Sequence, residues 1–369
     1  MEFYAPASPG TERALRDELC ELRFERARLN RGGIPFAGDW EDGWRACLQS
    51  RIAQRIQVLM STFAASSPEE LYAGTDAVDW TPYLTPRHTL AVGSFCRSRH
   101  FAHSGFAALK VKDAIVDQIR RIYGERPSVH KEDPDVRIFV FVSERKVKLY
   151  LDLSGVPLHK RGYRRQTGDA PLRETLAAAL LRLSGWDRTS PLADPMCGSG
   201  TIPIEAALWA GNVAPGIFRK TFGFERWACF SAKDHETMRM LRGDMRHSAH
   251  RQTPKVIAAD CDDTVLRAAE VNARAAGVRL RFRHNSIQDL QLGERTQTLV
   301  FNPPYNERIR TATDDVNRVA ATLSRMHNKR VCILSGNPEW EKAIPFRPVE
   351  QYEISNGNID CSFLIYDVL

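Results

Sequence analysis

Asn302-Pro303-Pro304-Tyr305 is the segment of this 369-residue chain whose residue types point most directly to chemistry. It follows an apolar run, Thr298–Phe301, that reads as a buried strand. Consecutive prolines carry no N–H and fix the local backbone, so the Pro303 carbonyl and the Asn302 side-chain oxygen can both face a pocket as acceptors. Such acceptors suit the exocyclic amine of a nucleobase. That nitrogen is a poor nucleophile because its lone pair is delocalised into the ring. Acceptors on its hydrogens orient it and favour the pyramidal form that attacks a methyl group. Tyr305 would stack on the base. The plainer alternative is a rigid turn after a strand.

A second segment, Asp194-Pro195-Met196-Cys197-Gly198-Ser199-Gly200-Thr201, lies between a strand at Leu192–Ala193 and a helix at Ile202–Ala210. A Gly-rich turn there lets a ligand approach the backbone, and the helix N-terminus offers N–H groups to polar atoms. Asp194, at the strand end, is placed to bind a cationic amine such as that of S-adenosylmethionine. In a third segment, Val256–Ala259 leads to Asp260. An acid at the end of the second strand of a doubly wound fold accepts hydrogen bonds from ribose hydroxyls. The usual spacing from the glycines is about 20 residues, whereas here about 60 intervene, which implies an insertion between Gly211 and Lys255. By itself Asp260 would read as an ordinary strand-end acid. No residue is an evident general base. Cys197 and Cys261 read as pocket-lining rather than nucleophilic. The histidines lack ligand spacing and the carboxylates do not cluster, so no metal is expected.

Basic residues form a further group. Lys160, Arg161, Arg164 and Arg165 surround Tyr163 in a linker, a mix that suits phosphate contacts with stacking. The competing reading is an ordinary solvated linker. Lys110, Lys112, Lys146 and Lys148 are weaker candidates. The net charge of +7 is compatible with a polyanionic partner.

These residues need elements to hold them, and the pattern changes near residue 170. Before it lies α+β material. Thr11–Glu21 and Lys110–Tyr123 read as helices, the second closed by Gly124 at a C-cap position. Alternation from Val136 to Val142 and from Lys146 to Leu153 reads as two strands of a hairpin. After residue 170, strands at Leu192–Ala193, Val256–Ala259, Leu280–Phe282, Thr298–Phe301 and Arg330–Leu334 alternate with helices. Those helices are placed at Leu172–Ser184, Ile202–Ala210, Thr264–Ala275 and Asp314–Met326. Closing strands at Tyr352–Ser355 and Cys361–Val368 flank the turn signal Asn356-Gly357. The pattern implies an α/β fold with a mainly parallel sheet, helices on both faces and an antiparallel closing hairpin. With 43% hydrophobic and 26% charged residues, the composition is that of a globular chain. The eight cysteines are scattered, and no apolar run approaches the about 18 residues of a membrane span. The N-terminus lacks the marks of a signal peptide, and a cytoplasmic location is expected.

At these residues the chain resembles the THUMP-domain 23S rRNA (guanine-N2) methyltransferases. The resemblance rests on Ala108 to Asp117, Leu151 to Gly155, His159 to Arg164, Ala170 to Ala179, Asp194 to Thr201 and Asn302 to Tyr305. It implies a ferredoxin-like part over 1–50, a THUMP domain over 51–155, a basic linker over 156–170, and a class I Rossmann-like methyltransferase domain with a seven-stranded sheet over 171–369. The first two would bind structured RNA. S-adenosylmethionine is the implied cofactor. Ala170, Pro171 and Leu172 would lie beside its methionine moiety. Asp194, Gly198 and Gly200 would hold the amino-acid part and Asp260 the ribose, Ser286 occupies the position that contacts the adenine amino group, and Met196, Cys197, Thr201, Cys261 and Ile287 would complete the cofactor site. Asn302, Pro303, Pro304 and Tyr305 would receive the guanine. The sequence departs from the family pattern at Ser286, where an acid is frequent, and at Asn306, where glycine is usual. The same architecture serves tRNA, so a tRNA guanine-N2 methyltransferase is the alternative. A DNA adenine or protein glutamine substrate is disfavoured by the THUMP-like half, and a non-catalytic RNA-binding role by the intact segments. Some relatives carry a second methyltransferase domain; the chain ends at Leu369, so a single activity is expected.

Overall fold

A computed structural model of the chain describes residues 1–101, 103–166, 172–250, 252–293, 297–303 and 313–368. The N-terminal half runs β1 (Glu2–Pro6), α1 (Glu12–Glu21), β2 (Gly33–Ala37), α2 (Trp40–Gln49), β3 (Gln57–Ala64), α3 (Pro68–Asp76), β4 (Thr89–Arg97), α4 (Ser104–Tyr123), β5 (Ser128–Val129), β6 (Val136–Ser143) and β7 (Lys146–Asp152). Its strands form one seven-stranded sheet, ordered β2-β1-β3-β7-β6-β4-β5. Strand alternation gives this sheet two unlike faces. In β6, Val136, Ile138, Val140 and Val142 are fully buried while Arg137, Phe139 and Phe141 are half-buried. On the buried face, Gly43 of α2 lies so close to the Phe3 ring and Leu153 that a Cβ would clash. α4 starts earlier than the expected Lys110, capped by the His103 side chain, and ends at Gly124 with φ +77°.

The second half runs α5 (Glu174–Leu183), β8 (Leu192–Asp194), α6 (Thr201–Ala210), α7 (Ala232–His247), β9 (Val256–Asp260), α8 (Asp263–Ala275), β10 (Arg281–His284), β11 (Thr298–Phe301), α9 (Thr313–Leu323), β12 (Lys329–Ser335), α10 (Glu339–Ala343), β13 (Glu350–Asn356) and β14 (Ile359–Val368). The sheet order is β10-β9-β8-β11-β12-β14-β13. The first five of these strands pair in parallel, and β14 and β13 add antiparallel. Each expected strand and helix of this half is present, shifted by a few residues at its ends. The strand order reverses between β8 and β11, which opens a crevice beyond their carboxyl ends.

The insertion inferred between Gly211 and Lys255 contains two short 3₁₀ turns and α7. Several of its aromatic residues face the N-terminal half. Phe224 stacks on Trp44 of α2 at 5.5 Å, and Trp227 meets Trp40 and Tyr83 edge-on at 5.8 and 5.4 Å. Gly155 and Gly223 pass so closely that a Cβ on either would clash with the other backbone. One continuous apolar core therefore runs from Phe3 to Ile365.

The basic linker is a correction to the sequence reading. Arg161 is 1% exposed and Tyr163 2%. Arg161 pairs with Glu205 of α6 at 3.4 Å and donates to the carbonyls of Leu158 and Arg51, while the Tyr163 hydroxyl donates to Glu205 at 3.0 Å. Arg164 is enclosed as well, donating to Glu174, Leu172, Ser199 and Thr201. A guanidinium removed from water needs such partners, and once they hold it, phosphate cannot. Arg161, Tyr163 and Arg164 thus serve the fold rather than an RNA surface. Lys160 and Arg165 remain exposed.

Removing one member of a buried ion pair strands the other. Arg161→Ala is expected to cost about 3–5 kcal/mol in urea unfolding, against about 0.5 kcal/mol or less for Lys160→Ala on the exposed side. Equally small losses would contradict this account of the linker.

Candidate active site

Three strand ends converge on the crevice. Asp194 closes β8 and Asp260 closes β9, while Asn302 follows β11. Register sets their heights: Asp194 is opposite Ala258, so Asp260 projects two residues further. Between them, the loop from Met196 to Gly200 turns into α6.

Two glycines make that turn. Gly198 has φ +52° and open space where a Cβ would be, so its backbone is accessible to a ligand. Gly200, the N-cap of α6, has φ +86°, and a Cβ there would lie 2.9 Å from Ala269 of α8. One glycine thus gives ligand access and the other close packing. Asp260 holds the loop: its carboxylate accepts from the Gly198 N–H at 2.9 Å and the Asp262 N–H at 3.1 Å. The Cys197 N–H donates to the Ala259 carbonyl at 2.9 Å.

Asp194 is 1% exposed and accepts from the Met196 N–H at 3.0 Å. Burial pushes its carboxyl well above the usual carboxylate range; the Met196 N–H opposes the shift and the charge of Asp260 adds to it. A carboxyl this poorly solvated fits an incoming ammonium group, which would restore its ionised form. Burial, followed by the charges of Asp194 and Asp260, also raises the Cys197 thiol. It therefore stays protonated and does not act as a nucleophile.

At the other wall, Asn302 Oδ1 is a buried oxygen with no hydrogen-bond partner among the described residues. Buried acceptors are ordinarily satisfied, so an orphan at a crevice is an acceptor awaiting a ligand donor. Pro303 beside it is buried. Ala170, Pro171, Pro304 and Tyr305 lie outside the described residues, as does Asn306.

Ser286 follows β10 and donates to Asp289 at 2.6 Å. An acid thus stands one hydrogen bond away from the position where the sequence pattern suggested one. Ile287 is buried against Ala193 and Phe301, and Met196 packs on the same cluster. Cys261 is exposed and its carbonyl accepts from His284 at 3.0 Å. Thr201 and Leu172 are buried and bonded to Arg164. The basic candidates are dispersed. Lys146 and Lys148 are on β7, whereas Lys110 and Lys112 are on α4, with Lys112 paired to Asp113 at 2.6 Å. Among the described residues no group of His, Cys, Asp or Glu is placed to hold a metal ion, and no helix is long and apolar enough to cross a membrane.

Asn272 of α8 escaped the sequence reading. It is 1% exposed. Its Oδ1 accepts from the Arg165 and Gln166 N–H groups at 2.8 and 3.0 Å, and its Nδ2 donates to the Gln166 and Ser199 carbonyls at 2.9 and 3.1 Å. It locks the linker onto the Gly-rich loop. The available signal was an amide on the apolar stripe of a helix, at i+4 from Ala268 and i+3 from Ala269. Glu205 gave a similar signal, an acid inside the apolar run of α6.

A family model described as RMKL-like, methyltransferase domain matches residues 161–365. The chain belongs to this methyltransferase family. Models of a THUMP domain and of the RlmL ferredoxin-like domain match residues 65–152 and 2–57. A curated relative from Syntrophotalea carbinolica, named ribosomal RNA large subunit methyltransferase K/L, is 40% identical over 100% of the chain and 54% of its own length. The chain therefore spans about half the length of the curated relatives it matches. Two solved structures match nearly the whole chain. SMU.472 complexed with SAH is 26% identical with a TM-score of 0.86, covering 100% of this chain and 98% of that one. A predicted N6-adenine-specific DNA methylase from Listeria monocytogenes is 29% identical with a TM-score of 0.87, covering 99% and 95%.

The raised Asp194 carboxyl carries a stability cost. A folded pKa above the unfolded one means that the folded state binds more protons between the two values. Its favourable contribution is full below the unfolded value, about 4, and is lost as pH rises through the folded one. Asp194→Asn is therefore expected to raise the Tm of the ligand-free chain at about pH 7.5, with the gain shrinking toward acid pH. The same variant should bind S-adenosylmethionine more weakly. A lower Tm, or a gain independent of pH, would contradict the assignment.

Proposed function

We propose that this chain transfers a methyl group from S-adenosylmethionine to the exocyclic N2 of a guanosine in 23S ribosomal RNA. The observation that carries the reading is the unsatisfied Asn302 Oδ1 at the strand-end crevice, across from the buried Asp194. When bound, S-adenosylmethionine supplies a methyl group on a positively charged sulfur.

The chain's own residues do the rest. Asp194 takes the cofactor's ammonium, and the Gly198 backbone leaves room for its approach. Asp260 already accepts two backbone N–H groups, yet each carboxylate oxygen has a further lone pair for a ribose hydroxyl. Asn302 Oδ1 accepts one N–H of the guanine amine and, with the Pro303 carbonyl, turns the nitrogen lone pair toward the methyl group. The cofactor so held would supply its methyl group in line, with the carbon–sulfur bond exchanged for a nitrogen–carbon bond and the electron pair left on sulfur. The nitrogen then releases a proton to water. Positioning and electrostatics account for the rate, without a general base.

The names of the curated relatives support ribosomal RNA over tRNA, and the THUMP match supports RNA over DNA. Guanine follows from the family resemblance of the Asn302 to Tyr305 segment. The test is to incubate the chain with methyl-labelled S-adenosylmethionine and separated rRNA, tRNA and DNA from cells lacking the enzyme, then digest to nucleosides. N2-methylguanosine from 23S rRNA is expected. Label in N6-methyladenosine or in DNA would overturn the substrate assignment, and label in tRNA would replace rRNA. On the labelled substrate, Asn302→Ala is expected to lower turnover by about a hundredfold or more with little change in cofactor affinity. Near-normal turnover would remove Asn302 from the mechanism.

A further inference from the structure

The helices of the N-terminal half cover one face of its sheet, and part of the opposite face carries an arrangement that the fold does not need. Cross-strand register places Thr62, Lys148, Phe141 and Phe95 in one row, and Leu59, Tyr150, Phe139 and Gly93 in the next. The Phe95 and Phe141 rings are stacked, with centroids 5.2 Å apart and an interplanar angle of 8°. Phe95 is 48% exposed. Gly93 has no side chain beside them, and the Phe139 ring leans over it, 3.2 Å from where a Cβ would be. Beyond Leu90, β4 is the sheet's edge, because β5 pairs only with Thr89 and Leu90. Stacking leaves much of the Phe95 ring in water, and a contiguous exposed aromatic patch of this kind marks a binding surface.

The charge around the rings identifies the occupant. Lys148 borders Phe141 on the same face, and Lys146 and Arg97 are exposed at the same end. None of the three forms an ion pair among the described residues. Glu144, in the neighbouring turn, is paired with Arg99 at 3.5 Å. Flat rings on an open sheet bordered by cations suit unpaired bases, whose faces stack while their phosphates meet lysine and arginine. A duplex hides its base faces and would gain only the charge.

We propose that the Phe95–Phe141 face is a stacking platform for unpaired RNA bases, which holds a single-stranded segment of the substrate away from the methyl-transfer crevice. The inference rests on RNA being the substrate. The test measures fluorescence anisotropy of a short labelled oligouridylate and of an RNA duplex of equal phosphate number, with the full chain. The wild-type chain is expected to bind the single strand more tightly. Phe95→Ala with Phe141→Ala should weaken single-strand binding about tenfold without altering its salt dependence. Phe95→Tyr with Phe141→Tyr, which keeps both rings, should retain it. Lys146→Ala with Lys148→Ala should weaken binding and flatten the salt dependence. Unchanged affinity in the alanine pair, or equal loss in the tyrosine pair, would overturn the platform. So would a change in sedimentation with unchanged RNA affinity, which would assign the face to contact between copies. If the alanine pair binds and methylates RNA normally, the platform alone falls. If the wild-type chain neither binds nor methylates any RNA, the substrate reading falls with it.

Discussion

A guanidinium buried between two domains constrains most of this structure. Arg161 leaves water only because Glu205, the Arg51 and Leu158 carbonyls and, through Glu205, Tyr163 surround it. Arg51 belongs to the N-terminal half and Glu205 to the helix that starts at the Gly-rich loop. The segment between the two sheets is therefore a strap with fixed ends. Arg164 and Asn272 extend the same logic, bonding the strap to Ser199 and Thr201. A loop rich in glycine would otherwise sample many conformations. Here its shape is set by groups that also join the domains.

The aromatic insertion serves the same end by different physics. Phe224 and Trp227 bury apolar area against Trp44, Trp40 and Tyr83, a contribution proportional to area and indifferent to direction. The polar strap adds direction, since its hydrogen bonds are satisfied in one register only. Together they hold the N-terminal sheet at a set distance from the crevice that Asp194 and Asn302 line. Among the described residues of that crevice, the fold leaves Asp194 and Asn302 poorly satisfied, one an acid short of solvation and the other an oxygen without a donor. The protein gives up some stability at both positions, as sites built for ligands commonly do.

Much of this was legible in the sequence, for reasons that can be named. Strand and helix alternation after residue 170 depends on local apolar periodicity, so β8 to β14 could be placed within a few residues. The gap between Gly198 and Asp260 revealed the insertion, though not its aromatic contact with α2, which depends on residues about 180 positions apart. The linker was misread because a run of Lys and Arg looks like surface in any local window. Its burial depends on Glu205, 44 residues from Arg161. Phe95 was passed over because no strand was read at Thr89–Arg97, and only the pairing of β4 with β6 brings it beside Phe141, 46 residues away.

Strap and insertion together make the two halves one cooperative unit. Differential scanning calorimetry of the full chain tests it most directly. A single transition is predicted, with calorimetric and van't Hoff enthalpies in agreement, and Glu205→Ala is predicted to split it in two. Two resolved transitions in the wild-type chain would contradict the claim, because the sheet and the crevice would then be held together by a tether and not by a shared core.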